Sequence, residues 1–144
     1  MIILKQIDAE NFWDVINLSL VKEQEDLVVS NAVSIAQAYV QPECVPLAIY
    51  NDEALVGFAM YCVDRDDGEY WIYRLMIDKA HQNKGYGRQA MNKVIDAIKR
   101  DNAHHKIYLG VNRSGSISVH LYESLGFAFN GQVFGKEHIM VLEY

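Results

Sequence analysis

Gln82-Asn83-Lys84-Gly85-Tyr86-Gly87-Arg88 is the segment of this chain best suited to holding a charged ligand. It opens the clearest helical pattern in the sequence. The first turn of a helix carries backbone N–H groups that have no partner within the helix. Those donors, with the positive end of the helix dipole, favour an anion. Glycines at 85 and 87 let the main chain come close to a diphosphate, and Lys84 and Arg88 add positive charge beside it. Two other readings fit the same residues. Gly85-x-Gly87-x-x-Ala90 matches a dinucleotide fingerprint, which expects an acid about 20 residues further on. That region is Tyr108-Leu109-Gly110-Val111-Asn112, and it holds no acid. The glycines could also merely permit a tight strand-to-helix turn. No Gly-Lys-Ser/Thr follows four spacers, so the segment is not a Walker A loop.

Other side chains offer less. Two acidic groups stand out: Glu23, Glu25 and Asp26, then Asp64, Asp66, Asp67 and Glu69. Together they could steer a cation, or they are two solvated loops. The five histidines form no metal-ligand spacing with Cys, Asp or Glu, so no metal is expected. Cys44 and Cys62 make no CxxC pair and read as reduced core residues of a cytoplasmic protein.

The elements that must hold the loop can be read from periodicity. A first strand is expected over Ile2–Ile7, then a helix capped by Asp8 with Phe12, Val15 and Ile16 on one face. Lys22–Asp26 reads as a loop, and Asn31–Gln41 as a helix stopped before Pro42. Val45–Tyr50 and Ala54–Val63 read as strands around a turn at Asn51-Asp52, the second apolar on both faces and so central. Glu69–Ile77 is a further strand. Gly85–Asp101 is a helix with a stripe of Met91, Val94, Ile95 and Ile98. Lys106–Asn112 is a strand. Ser116–Leu125 is a helix with Ser118, Leu121, Tyr122 and Leu125 facing inward, ended by Gly126. Phe127–Phe134 and Glu137–Glu143 form a closing hairpin. The whole is expected as a single α/β domain over residues 1–144. Its mixed sheet would be mostly antiparallel, with about seven strands flanked by about four helices.

The totals set limits. A chain of 144 residues with 51% apolar content suits one packed core. A net charge of −6 argues against nucleic acid, which needs a basic face. The N-terminal apolar run is too short for a signal peptide, and no stretch approaches the ~20 residues that span a bilayer.

The loop does not stand alone. Leu75-Met76-Ile77-Asp78 leads into Gln82-x-x-Gly85-x-Gly87, and Leu121-Tyr122-Glu123-Ser124-Leu125-Gly126-Phe127 follows one strand later. Together these resemble the two best-marked segments of the GCN5-related N-acetyltransferases (GNAT), from about residue 45 to 143. Within that family, Val56–Tyr61, Arg74–Asp78 and Phe127–Gly131 look closest to bacterial spermine/spermidine acetyltransferases.

The resemblance implies transfer of an acetyl group from acetyl-CoA to a small cationic amine, a polyamine foremost. Another small amine, a protein N-terminus, or acetyl-CoA binding without turnover are the alternatives. It implies that Gln82, Asn83, Lys84, Gly85, Tyr86, Gly87 and Arg88 hold the diphosphate. Leu75, Met76 and Ile77 would pair with the pantetheine arm as a strand would. Tyr122 would protonate the leaving thiolate. Glu69, near the start of the strand that flanks the acetyl group, is the first candidate for the proton acceptor, and Tyr73 the second. Glu23, Glu25 and Asp26 would attract the amine. The family often has Asn, two residues and then Ala where this chain has Gly115 and Ser118, so Ser118 would touch the cofactor or orient Tyr122. A homodimer is the expected assembly.

Overall fold

Ala54–Val63 forms the axis of the sheet because it is apolar on both faces. The computed structural model describes residues 1–27, 29–113 and 116–144, and all side chains within them except those of Glu23, Asp26, Leu27, Ser116 and Ile117. In chain order the strands are Ile2–Gln6 (β1), Cys44–Asn51 (β2), Ala54–Val63 (β3), Tyr70–Ile77 (β4), Lys106–Asn112 (β5), Ala128–Phe134 (β6) and Glu137–Glu143 (β7). The α-helices are Phe12–Ile16 (α1), Asn31–Val40 (α2), Tyr86–Lys99 (α3) and Ser116–Ser124 (α4). All seven strands lie in one sheet, ordered β1-β2-β3-β4-β5-β7-β6. Every pairing is antiparallel except β4 with β5.

The alternation of β3 feeds two cores. Phe58, Met60 and Cys62 meet Val15 and Ile35 on the face covered by α1 and α2. Val56 and Ala59 meet Met91, Val94, Ile95 and Ile98 of α3 on the other. The α3 stripe expected from the sequence is therefore the buried one. Cys44 and Cys62 are free, buried, and directly opposed across β2 and β3. Burial, with the neighbouring Cys62, pushes the Cys44 thiol up to about 12, which leaves it inert.

Two local readings are corrected. Asn11, not Asp8, occupies the N-cap of α1, and it makes no side-chain cap bond. The Asp8 carboxylate instead accepts the N–H groups of Glu10 and Asn11. Asn11 returns a bond by accepting the Asp8 N–H at 2.8 Å and donates to the Gln6 carbonyl. Asp8 thus closes the turn out of β1 rather than starting the helix. Lys22–Leu27 is a 3₁₀ helix rather than a loop.

One polar cluster ties the turn before β4 to the end of α3. Tyr70 donates to Asp101 Oδ2 at 3.0 Å. His104 Nδ1 lies 2.9 Å from the same oxygen, and His104 Nε2 lies 2.9 Å from the Gly68 carbonyl. Burial opposes charge on His104, but the bonds to Gly68 and Asp101 outweigh it and hold the imidazole above its ordinary value. A raised folded pKa gives stabilisation that is complete below the unfolded value of ~6.5 and lost as pH climbs through the folded one. Thermal melts of wild type and His104→Gln should therefore differ most near pH ~6 and converge towards pH ~8.5. A gap that stays constant over that range would leave His104 with a packing role only.

Candidate active site

Strand β4 has two different edges. Along one edge it pairs with β3 through to Ile77. Along the other it pairs with β5 only at Tyr70, Trp71 and Ile72. Beyond Ile72 the two strands part, and the β4 edge from Leu75 to Ile77 has no strand beside it among the described residues. The parting coincides with a bulge. Met60 sits opposite Arg74 and Tyr61 opposite Ile72, so Tyr73 is an extra residue without a partner. The extra residue breaks the alternation, and Tyr73 and Arg74 both reach the α2 side. Tyr73 packs there beside Ile35 and Ala38. Arg74 donates to Ser34 Oγ at 3.0 Å and Gln37 Oε1 at 3.1 Å, both on α2, and to its neighbour's carbonyl.

The glycine loop lies at the open end of that edge. Its two glycines serve different needs. Gly85 is the N-cap of α3 with φ of 80°, in the left-handed region where a side chain is strained. Gly87 has no such requirement. A Cβ there would meet Leu121 and Ile77 at 3.7 and 3.8 Å, ordinary contact distances. The protein's own packing does not demand glycine at 87, so a close-approaching ligand is the remaining reason for it. Gln82 straps the loop down: its Nε2 donates to the Ile77 carbonyl at 2.9 Å and to Gln24 Oε1 at 2.8 Å. Asn83 takes φ of 64°, another left-handed turn residue. The Tyr86 hydroxyl accepts from Asn51 Nδ2 at 2.9 Å. Lys84 and Arg88 are exposed and form no ion pair among the described residues.

Helix α4 carries Tyr122 to the parting strands. It packs through Val119, Tyr122 and Leu125 onto the α3-side core. Phe127 stands edge-on to the Tyr122 ring, with centroids 6.0 Å apart. Burial pushes the phenol up to about 12, so it keeps its proton at neutral pH. The Tyr122 side chain lines a cleft of about 140 Å³ with Leu75, Val111, Asn112, Arg74 and Glu137. Ser118 is exposed rather than turned inward, because α4 packs through the adjacent Val119, yet it borders the same cleft one turn from Tyr122.

A second cavity, about 320 Å³, opens on the α2 side of the parting. Asp64, Asp66, Asp67, Trp71, Tyr73, Arg74 and Glu137 are among its lining residues. Trp71 stacks on Tyr108 at 5.0 Å and donates to Asp67 Oδ2 at 2.8 Å. Arg74, Tyr73, Gly110 and Glu137 border both cavities, so the parting is a window through the sheet.

The structure gathers some expected residues and separates others. Leu75 and Tyr122 line one cleft, and Gly87 of the loop lies beside Ile77 and Leu121. Glu69 lies apart from them. It precedes the closed part of β4, six residues before Leu75, or roughly 20 Å along a strand. Tyr73 donates its proton to Asp64 Oδ2 at 2.9 Å, and burial holds the phenol above its ordinary value. Glu25 is exposed on the 3₁₀ helix beside the loop, held there by the Gln24–Gln82 bond. The side chains of Glu23 and Asp26, and all of Gly115, lie outside the described residues. Arg74 and Glu137 join the site unannounced. An arginine inside an otherwise apolar strand was a readable signal for the first. The second depends on how β7 registers against β5, which local sequence does not carry.

Comparison with known proteins places the chain in a family. The Acetyltransferase (GNAT) family model matches residues 11–127. A probable spermine N(1)-acetyltransferase of Bacillus subtilis subsp. natto is 30% identical over 97% of both chains. The spermine/spermidine N(1)-acetyltransferase of Bacillus subtilis is 29% identical over the same shares. The solved spermidine N-acetyltransferase of Vibrio cholerae, in complex with CoA and spermine, superposes with a TM-score of 0.75 over 97% of this chain and 92% of that one, at 18% identity. The chain belongs to the GNAT family of acetyltransferases. Its reaction is the transfer of an acetyl group from acetyl-CoA to an amine.

Gly87→Ala separates the two readings of the loop. Alanine fits the protein and raises helix propensity by up to ~1 kcal/mol, so the melting temperature should hold or rise. Affinity for CoA, measured by calorimetry, should fall at least ~10-fold, equivalent to ~1.4 kcal/mol. Unchanged affinity would remove Gly87 from the cofactor site.

Proposed function

We propose that this enzyme acetylates a polyamine of the spermidine and spermine class, by direct attack of the neutral amine on the thioester. The observation that carries this reading is the α2-side cavity, where four carboxylates face one guanidinium, and that guanidinium is engaged by Ser34 and Gln37. Such a cavity favours a multiply charged cation over a neutral or anionic acceptor. Full-length likeness to the two Bacillus enzymes supports the same acceptor class. Glu23, Glu25 and Asp26 would attract the amine in this reading.

The chain's residues divide the work. The free amides at the start of α3, with Lys84 and Arg88, would hold the diphosphate. The open edge from Leu75 to Ile77 would receive the pantetheine arm, and an N–H on that edge, that of Leu75 or Ile77 rather than that of Met76, which faces Phe58 of β3, would polarise the thioester carbonyl. Acetyl-CoA supplies the acetyl group and a thiolate leaving group. Tyr122, held protonated, would donate to that sulfur. Ser118 borders the cleft beside it. The two buried thiols suit a reducing compartment, which supports a cytoplasmic location. A homodimer remains part of this reading; Val133 and Phe134 of edge strand β6 are exposed at 50% and 59%, an apolar surface that a second copy would cover.

The reading is tested by release of free CoA from acetyl-CoA in the presence of spermine, spermidine, a monoamine, an aminoglycoside or a peptide amine. Release with the polyamines above all others is expected. Release only with another acceptor would keep the chemistry and discard the polyamine. In the same assay Tyr122→Phe should lower kcat by ~10²-fold or more while CoA affinity stays within a factor of ~2. Full turnover in that variant would make Tyr122 a packing residue.

A further inference from the structure

Glu137 is the one carboxylate that borders both cavities of the window. It stands at the first position of β7, opposite Asn112 at the last position of β5. Two residues back along β5, Gly110 lies on the same face as Asn112, and there the Glu137 side chain folds over the strand. A Cβ on Gly110 would overlap the Glu137 carboxylate. The missing side chain at 110 is therefore the space in which that carboxylate rests. Among the described residues no side chain donates to it and no cation lies in ion-pair contact with it. The nearby Arg74 is felt through the field between them, since its hydrogen bonds go to Ser34, Gln37 and the Tyr73 carbonyl. The acids on the far rim are differently placed. Asp64 is engaged by Tyr73, and Asp67 by Trp71.

An unengaged carboxylate at the meeting point of the two cavities is suited to one task. We propose that Glu137 seats the ammonium group of the acceptor at the window, across the sheet from Tyr122, and that Gly110 is glycine so that Glu137 can lie there. The inference rests on the polyamine reading for its acceptor, but it names a residue and a geometry that reading does not require. Tyr122 enters the cleft from the α4 side and Glu137 from the α2 side. A cation held by Glu137 would therefore present its amine to the edge of β4 from the face opposite the general acid. A seated ammonium must shed its proton before attack, so Glu137 acts as a specificity and positioning residue, and its loss should be read in KM before kcat.

Two variants test this with steady-state kinetics on spermidine and calorimetry with CoA. Glu137→Gln removes the charge and keeps the shape. Gly110→Ala keeps the charge and displaces it; the overlapped atoms are the end of a flexible side chain, so the strand can accommodate the methyl group. Both should raise KM for spermidine at least ~10-fold, with kcat changed less than ~3-fold and CoA affinity unchanged. An unchanged KM in Glu137→Gln overturns the assignment, whatever the acceptor class. A raised KM in Glu137→Gln with a normal one in Gly110→Ala overturns the packing relation between the two. A parallel loss of CoA affinity would move both residues to the cofactor side and overturn the inference as well. If wild type rejects polyamines and acetylates another cationic amine, the polyamine reading fails alone, and the same KM comparison on that amine decides the role of Glu137.

Discussion

Everything in the site depends on the point where β4 stops pairing with β5. A parallel pair normally continues as long as both strands do, because each unpaired N–H and C=O forgoes a hydrogen bond. Here the ladder ends after Ile72, although β4 runs on to Ile77 and β5 to Asn112. The bulge at Tyr73 supplies the local cause. An extra residue bends its strand and strengthens its twist, which carries the rest of β4 away from β5. The bent strand is then held from the side by Arg74, whose guanidinium binds α2 at Ser34 and Gln37. Buried Ser34 is one of very few polar side chains in the interior, and its hydroxyl both accepts from Arg74 and donates to the Ser30 carbonyl. The window is thus built by covalent register and pinned by a polar contact.

A window in a sheet lets two reactants meet without sharing an entrance. On the α3 side the positive helix end and Lys84 and Arg88, which form no ion pair among the described residues, would favour a diphosphate. On the α2 side carboxylates outnumber the one guanidinium and favour an amine. The two fields have opposite sign and are kept apart by the sheet. Each reactant would be repelled from the other's entrance, and they would meet only where the backbone edge is open. The overall charge of −6 therefore says less about function than the way that charge is distributed across the sheet.

Much of this was legible in the sequence, and the reason is local periodicity. The α3 stripe, the double-sided burial of Ala54–Val63 and the strand Lys106–Asn112 all follow from patterns within one element. The loop and Tyr122 were legible because their segments resemble a known family. What local pattern does not contain is the partner of each strand. Periodicity puts Glu69 at the start of β4 but does not show that the strand bulges at Tyr73 and opens only beyond Ile72, which leaves Glu69 beside the closed part. Glu137 escapes local pattern because its position depends on the long-range pairings Gly110↔Ile139 and Asn112↔Glu137. Asp8 was misplaced for a related reason. An Asp that accepts two nearby N–H groups can open a helix or close a turn, and the choice lies with Asn11 three residues on.

The elevated pKa of Tyr122 shapes the role it can take. A phenol at about 12 facing a thiolate near ~8.5 would give up its proton uphill by roughly 3.5 units, or about 5 kcal/mol. Outright transfer in the ground state is therefore disfavoured. What burial preserves instead is a neutral O–H donor, free of other hydrogen bonds among the described residues and bordering the cleft. Such a donor strengthens as negative charge builds on sulfur and contributes little before then. That is the differential stabilisation that accelerates a step rather than merely binding its reactant. In the proposed role, the same burial that makes Tyr122 a poor acid in the resting enzyme would make it a selective partner for the transition state. The proton can pass fully only as the C–S bond breaks, or when solvent reaches the thiolate afterwards.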